Sequence, residues 1–125
     1  MMLVENYVER STLHGTGLFT RNPLIKGMLV WKHVPSFDLY FTHEQMASFP
    51  KCTQDYLGIY VWSSQSNPNG VYYDSDNARF TNHSDTPNLI PPPNGSDFEL
   101  YAAFDIPAGT ELCCDYRKYE PDYMI

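Results

Sequence analysis

The chain has 125 residues and a formal net charge of -7, from fifteen acidic against eight basic side chains. That length supplies one hydrophobic core rather than two, and the acidic balance argues against a general nucleic-acid binder, which presents a basic patch. No apolar run approaches the roughly 18 to 20 residues of a membrane-spanning helix, and the opening MMLVENYVER, with its first Arg at position 10, does not read as a signal peptide.

In chain order, LVENYVE (3–9) alternates loosely and predicts an edge strand. STLHGTGLF (11–19) places Gly15 and Gly17 just before an apolar pair, the pattern of a tight turn or of a closely approaching backbone. In PLIKGMLVWKHV (23–34), Lys26-Gly27 predicts a turn feeding a strand rich in Leu, Val and Trp. Thr42 and Gln45 form a capping box for a short helix. Pro50 suits the first turn of a second helix over PKCTQDYLGIY. SSQSNPNG (63–70) reads as a turn-rich loop and VYYD as a strand. LIPPPNGSD makes a polyproline connector ending in a turn, FELYAAFDI is extended, PAGTE turns and LCCDY extends again. The sum is a mainly β domain with a helical insert near its middle.

Cys52, Cys113 and Cys114 are too few and too poorly spaced for a disulfide framework or a tetrahedral zinc site. On a strand the adjacent pair points to opposite faces, and buried thiols fit a reducing cytoplasm. Gly15-x-Gly17 lacks the third glycine and following long helix of a dinucleotide loop. The acidic Asp74-Ser75-Asp76 is not followed by a 12-residue loop ending in Glu, so no metal site is assigned. The least ordinary segment is DNARFTNHSDTPN (76–88), which neither alternates like a strand nor repeats like a helix.

HGTGLF, RFTNHSDTPN and IPAGTELCCDY occur in that order and at workable separations. Together they resemble the SET-domain family of S-adenosylmethionine-dependent protein lysine methyltransferases, whose pattern is G-x-G-x-F, then R-F-x-N-H-S with P-N, then I-x-x-G-x-E-L-x-x-D-Y. The anchors are Gly15, Gly17 and Phe19; Arg79, Phe80, Asn82, His83, Ser84, Pro87 and Asn88; and Ile106, Gly109, Glu111, Leu112, Asp115 and Tyr116. The resemblance is nearest to compact single-domain bacterial and viral members. It implies one domain over 1–125, with a core at about 9–119, an insert at about 35–70 and a short tail at 117–125. The implied fold is several small curved sheets, a short helical insert and a C-terminal pseudoknot, in which the chain's end threads past the N-H-S segment.

The resemblance also implies site residues. His14, Gly15, Thr16, Gly17, Arg79, Phe80, Asn82, His83 and Tyr116 are implied to hold S-adenosylmethionine. The glycines would let backbone reach the ligand, and Asn82 and His83 would offer donors and acceptors. Tyr116 is the implied catalytic residue. A lysine with a pKa near 10.4 is only about 0.4% neutral at pH 8, so the reaction needs desolvation and orientation more than a strong base. His83 is expected to serve packing and hydrogen bonding, Asp115 to pair with Arg79 or backbone, and Glu111 to cap a turn.

The chain departs from the family in two places. Many members carry a second tyrosine after the strand that follows K-G, whereas KGMLVWKHVP offers Trp31 and His33. Tyr72 or Tyr73 would fill that space. The cysteine-rich zinc tail of many nuclear members is absent, leaving Tyr119 and Tyr123 as implied walls of the acceptor channel, or a second subunit in a homodimer. The acceptor implied is a lysine-containing basic protein or peptide, which suits an acidic enzyme. A regulatory module without turnover, and a methyltransferase with a non-lysine or small-molecule acceptor, remain alternatives. Asp38, Glu44 and Asp55 either line the acceptor groove or sit on the solvated surface, and the surface is the expectation.

Overall fold

Three small sheets carry the fold, and two of them collect strands from distant parts of the chain. The structure, a computed structural model, describes residues 1–118. Strands β1 (Asn6–Arg10) and β2 (Thr16–Thr20) form an antiparallel hairpin. After the Lys26-Gly27 turn, where Gly27 takes φ 87°, comes β3 (Leu29–Lys32). The middle of the chain holds β4 (Leu39–Thr42), helices α1 (His43–Ser48) and α2 (Lys51–Tyr60), β5 (Trp62–Ser64) and β6 (Asn67–Tyr73). A 3-10 turn, Asn77–Phe80, leads to β7 (Asn82–His83), β8 (Leu89–Ile90), β9 (Glu99–Ala102), β10 (Glu111–Cys114) and a second 3-10 turn, Tyr116–Lys118. The sheet orders are β1-β2-β10-β7, β3-β9-β8 and β4-β6-β5. The mainly β architecture expected from the sequence is the one observed.

Leu18 of β2 and Leu112 of β10 face each other across the first sheet, and both are fully buried. Burying each such leucine contributes about 1.5–3 kcal/mol. Val30, Leu89, Ile106 and Leu100 complete the same core. β10 lies between β2 and β7, so both of its edges are paired, and its side chains alternate between the two faces of the sheet. Cys113 and Cys114 point opposite ways and are both buried.

The capping box starts α1 as expected: Gln45 N donates to Thr42 Oγ1 at 3.1 Å, and Thr42 N donates to Gln45 Oε1 at 2.8 Å. Pro50 falls one residue before the helical turn, at the N-cap of α2. Its extended ψ of 149° keeps it outside the helix, while its carbonyl accepts from Thr53 and Gln54. The expected loop at 63–70 is instead a tight hairpin joining β5 to β6. Asp97 makes that hairpin possible by accepting from Ser64 Oγ at 2.7 Å and Gln65 N at 3.1 Å. Asp38 is likewise a correction. It is buried, where it accepts from Val34 N, Ser75 N and the Met1 ammonium. Glu44 and Asp55 do lie on the surface.

Candidate active site

The polar segment at 76–88 owes its burial to a crossing of three chain segments. β7 pairs parallel with β10, matching Asn82 to Cys113 and His83 to Cys114. Asn82 Nδ2 donates to His14 O at 2.9 Å, Thr16 O at 3.2 Å and Glu111 Oε2 at 2.9 Å. A single buried amide thus ties the glycine turn to the C-terminal strand. Glu111 closes the arrangement by accepting from Ser11 Oγ at 2.7 Å, so it fastens the crossing rather than capping a turn. Asn88 braces the other side, donating to Glu111 O at 2.8 Å and accepting from Cys113 N at 2.9 Å.

His83 reaches both ways along the crossing. Tyr116 N donates to its Nδ1 at 3.0 Å, which assigns the proton to Nε2, 2.9 Å from Asp85 Oδ1. The Tyr116 ring packs edge-on to the imidazole at 5.4 Å, and its hydroxyl donates to Thr81 O. Asp115 does not meet Arg79. It takes the other expected partner, backbone, accepting from Arg117 N at 3.0 Å, and also binds the Arg117 side chain, at 2.8 Å from Nε and 2.9 Å from a terminal nitrogen. Those Arg117 hydrogen bonds hold its carboxyl below the ordinary value, against a smaller opposing effect of burial.

Tyr116 also lines a cavity of about 270 Å³. Trp31, Tyr60 and Trp62 form aromatic walls, and Asp74, Asp97 and Arg79 add charged groups. Burial pushes the Asp74 carboxyl up to about 7, with Asp38 and Asp76 adding to the rise and the Trp62 hydrogen bond and the Met1 ammonium opposing it. Arg79 turns its guanidinium over the Phe80 ring at 4.7 Å and donates to Asp76 O at 3.0 Å.

The residues expected at the site divide into two groups. His14, Gly15, Thr16, Gly17, Asn82 and His83 gather at the crossing, while Arg79 and Tyr116 line the cavity. Phe80 packs edge-on to Tyr60 at 5.6 Å. Tyr72 and Tyr73 do not line the cavity. Tyr72 is spent on packing: it is buried, stacks on Trp62 at 4.7 Å and accepts from Asn67 Nδ2 at 2.9 Å. Tyr73 meets Tyr56 hydroxyl to hydroxyl at 2.9 Å. The aromatic wall comes instead from Trp31, on the strand that follows Lys26-Gly27, and from Trp62 and Tyr60, which sequence reading passed over. Tyr119 and Tyr123 lie outside the described residues. Among the described residues no group of three or more His, Cys, Asp or Glu is placed to hold a metal ion.

The glycine turn has the form a ligand cradle needs. Gly15 takes φ 46° and a Cβ built there would meet open space, and His14, Gly15 and Thr16 are all exposed. Gly17 answers a different demand, because a Cβ there would overlap the Glu111 carboxylate.

Solved structures share this fold. A humanized mutant of Chaetomium thermophilum Polycomb Repressive Complex 2 matches with a TM-score of 0.66 and 19% identity, over 95% of this chain and 16% of that chain. A Plasmodium falciparum protein described as a candidate histone methyltransferase matches with a TM-score of 0.60 and 20% identity, over 92% of this chain and 95% of that one. The Neurospora SET domain protein DIM-5, a histone lysine methyltransferase, matches with a TM-score of 0.58 and 22% identity, over 92% of this chain and 53% of that one. This chain therefore spans about a sixth of the Chaetomium chain and about half of the Neurospora one. No curated protein matches it in sequence. The family model for the SET domain matches residues 15–117, the stretch that holds the glycine turn, the crossing and Tyr116, and the chain belongs to the SET domain family.

Proposed function

We propose that the chain is a protein lysine N-methyltransferase that uses S-adenosylmethionine and acts on a basic protein or peptide. The observation that carries this reading is the position of Tyr116. Its backbone is fixed to His83 at the crossing, and its ring forms part of the cavity wall. One residue thus stands between a polar cradle and an aromatic cavity, as methyl transfer between two ligands requires.

The cradle fits the proposed cofactor. His14, Gly15 and Thr16 are exposed beside Asn82, whose Nδ2 holds the His14 and Thr16 carbonyls and the Glu111 carboxylate while Oδ1 accepts no hydrogen bond from the described residues. S-adenosylmethionine supplies an electrophilic methyl group on a cationic sulfur. The protein's own contribution is orientation and desolvation. Tyr116, held by its hydrogen bond to Thr81 O, keeps the phenol in one place at the junction. The aromatic walls strip water from an incoming amine, which lowers its pKa toward the neutral, nucleophilic form. The net charge of -7 favours a lysine-rich partner.

The test is calorimetric titration with S-adenosylmethionine and S-adenosylhomocysteine, followed by transfer of labelled methyl to a panel of lysine-rich proteins. Micromolar binding and label on lysine are expected. Binding without label on any lysine would favour a regulatory SET module, and absence of binding would overturn the reading.

A further inference from the structure

We propose that His83 is a positioning residue that holds the main chain of Tyr116 only while its imidazole is neutral, so that a proton taken up at Nδ1 releases the tyrosine. The consequence for activity rests on the reading of Tyr116 as the methyl-transfer residue. The coupling between ring and amide rests on geometry alone.

Tyr116 is fixed at both ends by one short segment. Its hydroxyl donates to Thr81 O, and its amide donates to His83 Nδ1 at 3.0 Å, two residues further along. The phenol ring packs edge-on to the imidazole, with centroids 5.4 Å apart. Of the two anchors, the carbonyl has no proton to gain and the imidazole has one. A main-chain N–H can only donate, so Nδ1 must present a lone pair. The single ring proton therefore sits on Nε2, 2.9 Å from Asp85 Oδ1.

The charged groups that face His83 among the described residues come from two segments. Asp85 follows β7, and Asp115 and Arg117 follow β10. Arg117 bridges the two carboxylates, at 2.8 Å from Asp115 and 3.3 Å from Asp85. Its hydrogen bonds hold the Asp115 carboxyl below the ordinary value, so that group stays ionised while the imidazole changes charge. Asp115 Oδ1 lies 3.7 Å from Nδ1, beyond hydrogen-bond reach. A proton arriving at Nδ1 meets the Tyr116 N–H head on. Asp115 is the acceptor such a proton would turn to, and the ring reaches it only by giving up Tyr116 N. Tether and proton compete for one lone pair.

The cofactor cradle is fastened separately. Asn82 ties His14, Thr16 and Glu111 together without the imidazole, whose two nitrogens are engaged by Tyr116 and Asp85. Releasing Tyr116 should therefore lower methyl transfer far more than S-adenosylhomocysteine affinity.

Nitrogen-15 resonance of the full chain tests this, with and without S-adenosylhomocysteine. The His83 ring nitrogens and the Tyr116 amide are followed from about pH 8 to 5, the range in which imidazoles ordinarily titrate. The expected result is a proton on Nε2 alone at the upper end, then an upfield move of the Tyr116 amide proton that shares its midpoint with protonation of the ring. In His83→Asn, Oδ1 takes the place of Nδ1 as an acceptor that binds no proton, so the amide should stay downfield throughout. A proton on Nδ1 at the upper end, a ring that takes up none, or an amide that stays put while the ring titrates overturns the proposal. The parent chain alone decides this if the variant fails to fold. Single-turnover methyl transfer reads the consequence. Below the shared midpoint the parent rate should fall about a hundredfold per pH unit, about tenfold from the acceptor lysine and about tenfold from His83, against about tenfold in His83→Asn. Equal slopes in the two chains would remove the positioning role. Absence of S-adenosylhomocysteine binding removes the methyltransferase reading and leaves the coupling of ring and amide standing, whereas binding without coupling removes His83 alone.

Discussion

Asn82 Nδ2 and Glu111 Oε2 lie 2.9 Å apart, and this contact links residues 29 positions apart in the chain at the point where three segments cross. The same amide nitrogen holds the carbonyls of His14 and Thr16, so the glycine turn and the C-terminal strand share one fastening. Asn82 is buried and Glu111 half-buried, which raises the cost of losing the contact.

Asn82→Ala should therefore do two things at once. It leaves two backbone carbonyls and a carboxylate without their donor, for a stability loss of about 1–3 kcal/mol. It also frees the turn at residues 14–16, so S-adenosylhomocysteine affinity should fall. Denaturant unfolding and calorimetry measure the two effects separately. Unchanged affinity in a folded variant would remove Asn82 from the cofactor cradle.

Three glycines should respond differently to alanine, because each is required for a different reason. At Gly15 a Cβ has room but the φ of 46° is unfavourable, at a cost of roughly 1–2 kcal/mol. At Gly17 the new Cβ meets the Glu111 carboxylate, which cannot move without giving up Ser11 and Asn82. At Gly70 it meets the Phe41 carbonyl oxygen on the paired strand β4, and backbone has no such freedom. The order of thermal destabilisation expected is Gly15 least, Gly17 intermediate and Gly70 most.

Tyr116→Phe should leave S-adenosylhomocysteine binding nearly unchanged while lowering methyl transfer about 100-fold or more, because only the orientation at the junction is lost. The backbone bond from residue 116 to His83 Nδ1 does not depend on the hydroxyl. A variant with full turnover would place the transfer site elsewhere.

The crossing was legible only through the family resemblance, which HGTGLF, RFTNHSDTPN and IPAGTELCCDY carry together and none of them carries alone. The cavity was not legible. Trp31, Tyr60 and Trp62 come from β3, the end of α2 and β5, and only pairing of β3 with β9 and β5 with β6 brings their segments together. Register also decided between aromatic neighbours. Trp62 pairs with Tyr72, and the stack buries the tyrosine behind the tryptophan that lines the wall. Asp38 read as a surface acid because nothing local shows that Val34 N and Ser75 N converge on it. Asp74 read only as the end of a strand and part of an acidic run, for the same reason.

Asp74 gives the fold a pH dependence opposite in sign to that of a salt-bridged carboxylate. Its folded-state pKa is raised to about 7 from the ordinary carboxyl value of 3.8, chiefly by burial, so between those limits the folded state holds a proton that the unfolded chain has released. Stability from this group is therefore fully present below about pH 4 and is lost as pH rises through 7. The whole effect is on the order of a few kcal/mol. Asp74→Asn keeps an oxygen for Trp62 Nε1 and carries no charge, so it should be more stable than the parent at pH 8. The advantage should shrink steadily toward pH 4, where the parent carboxyl is neutral too. Paired denaturant unfolding curves from pH 4 to 8 measure this difference, and a constant gap across that range would mean that Asp74 stays ionised in the folded chain.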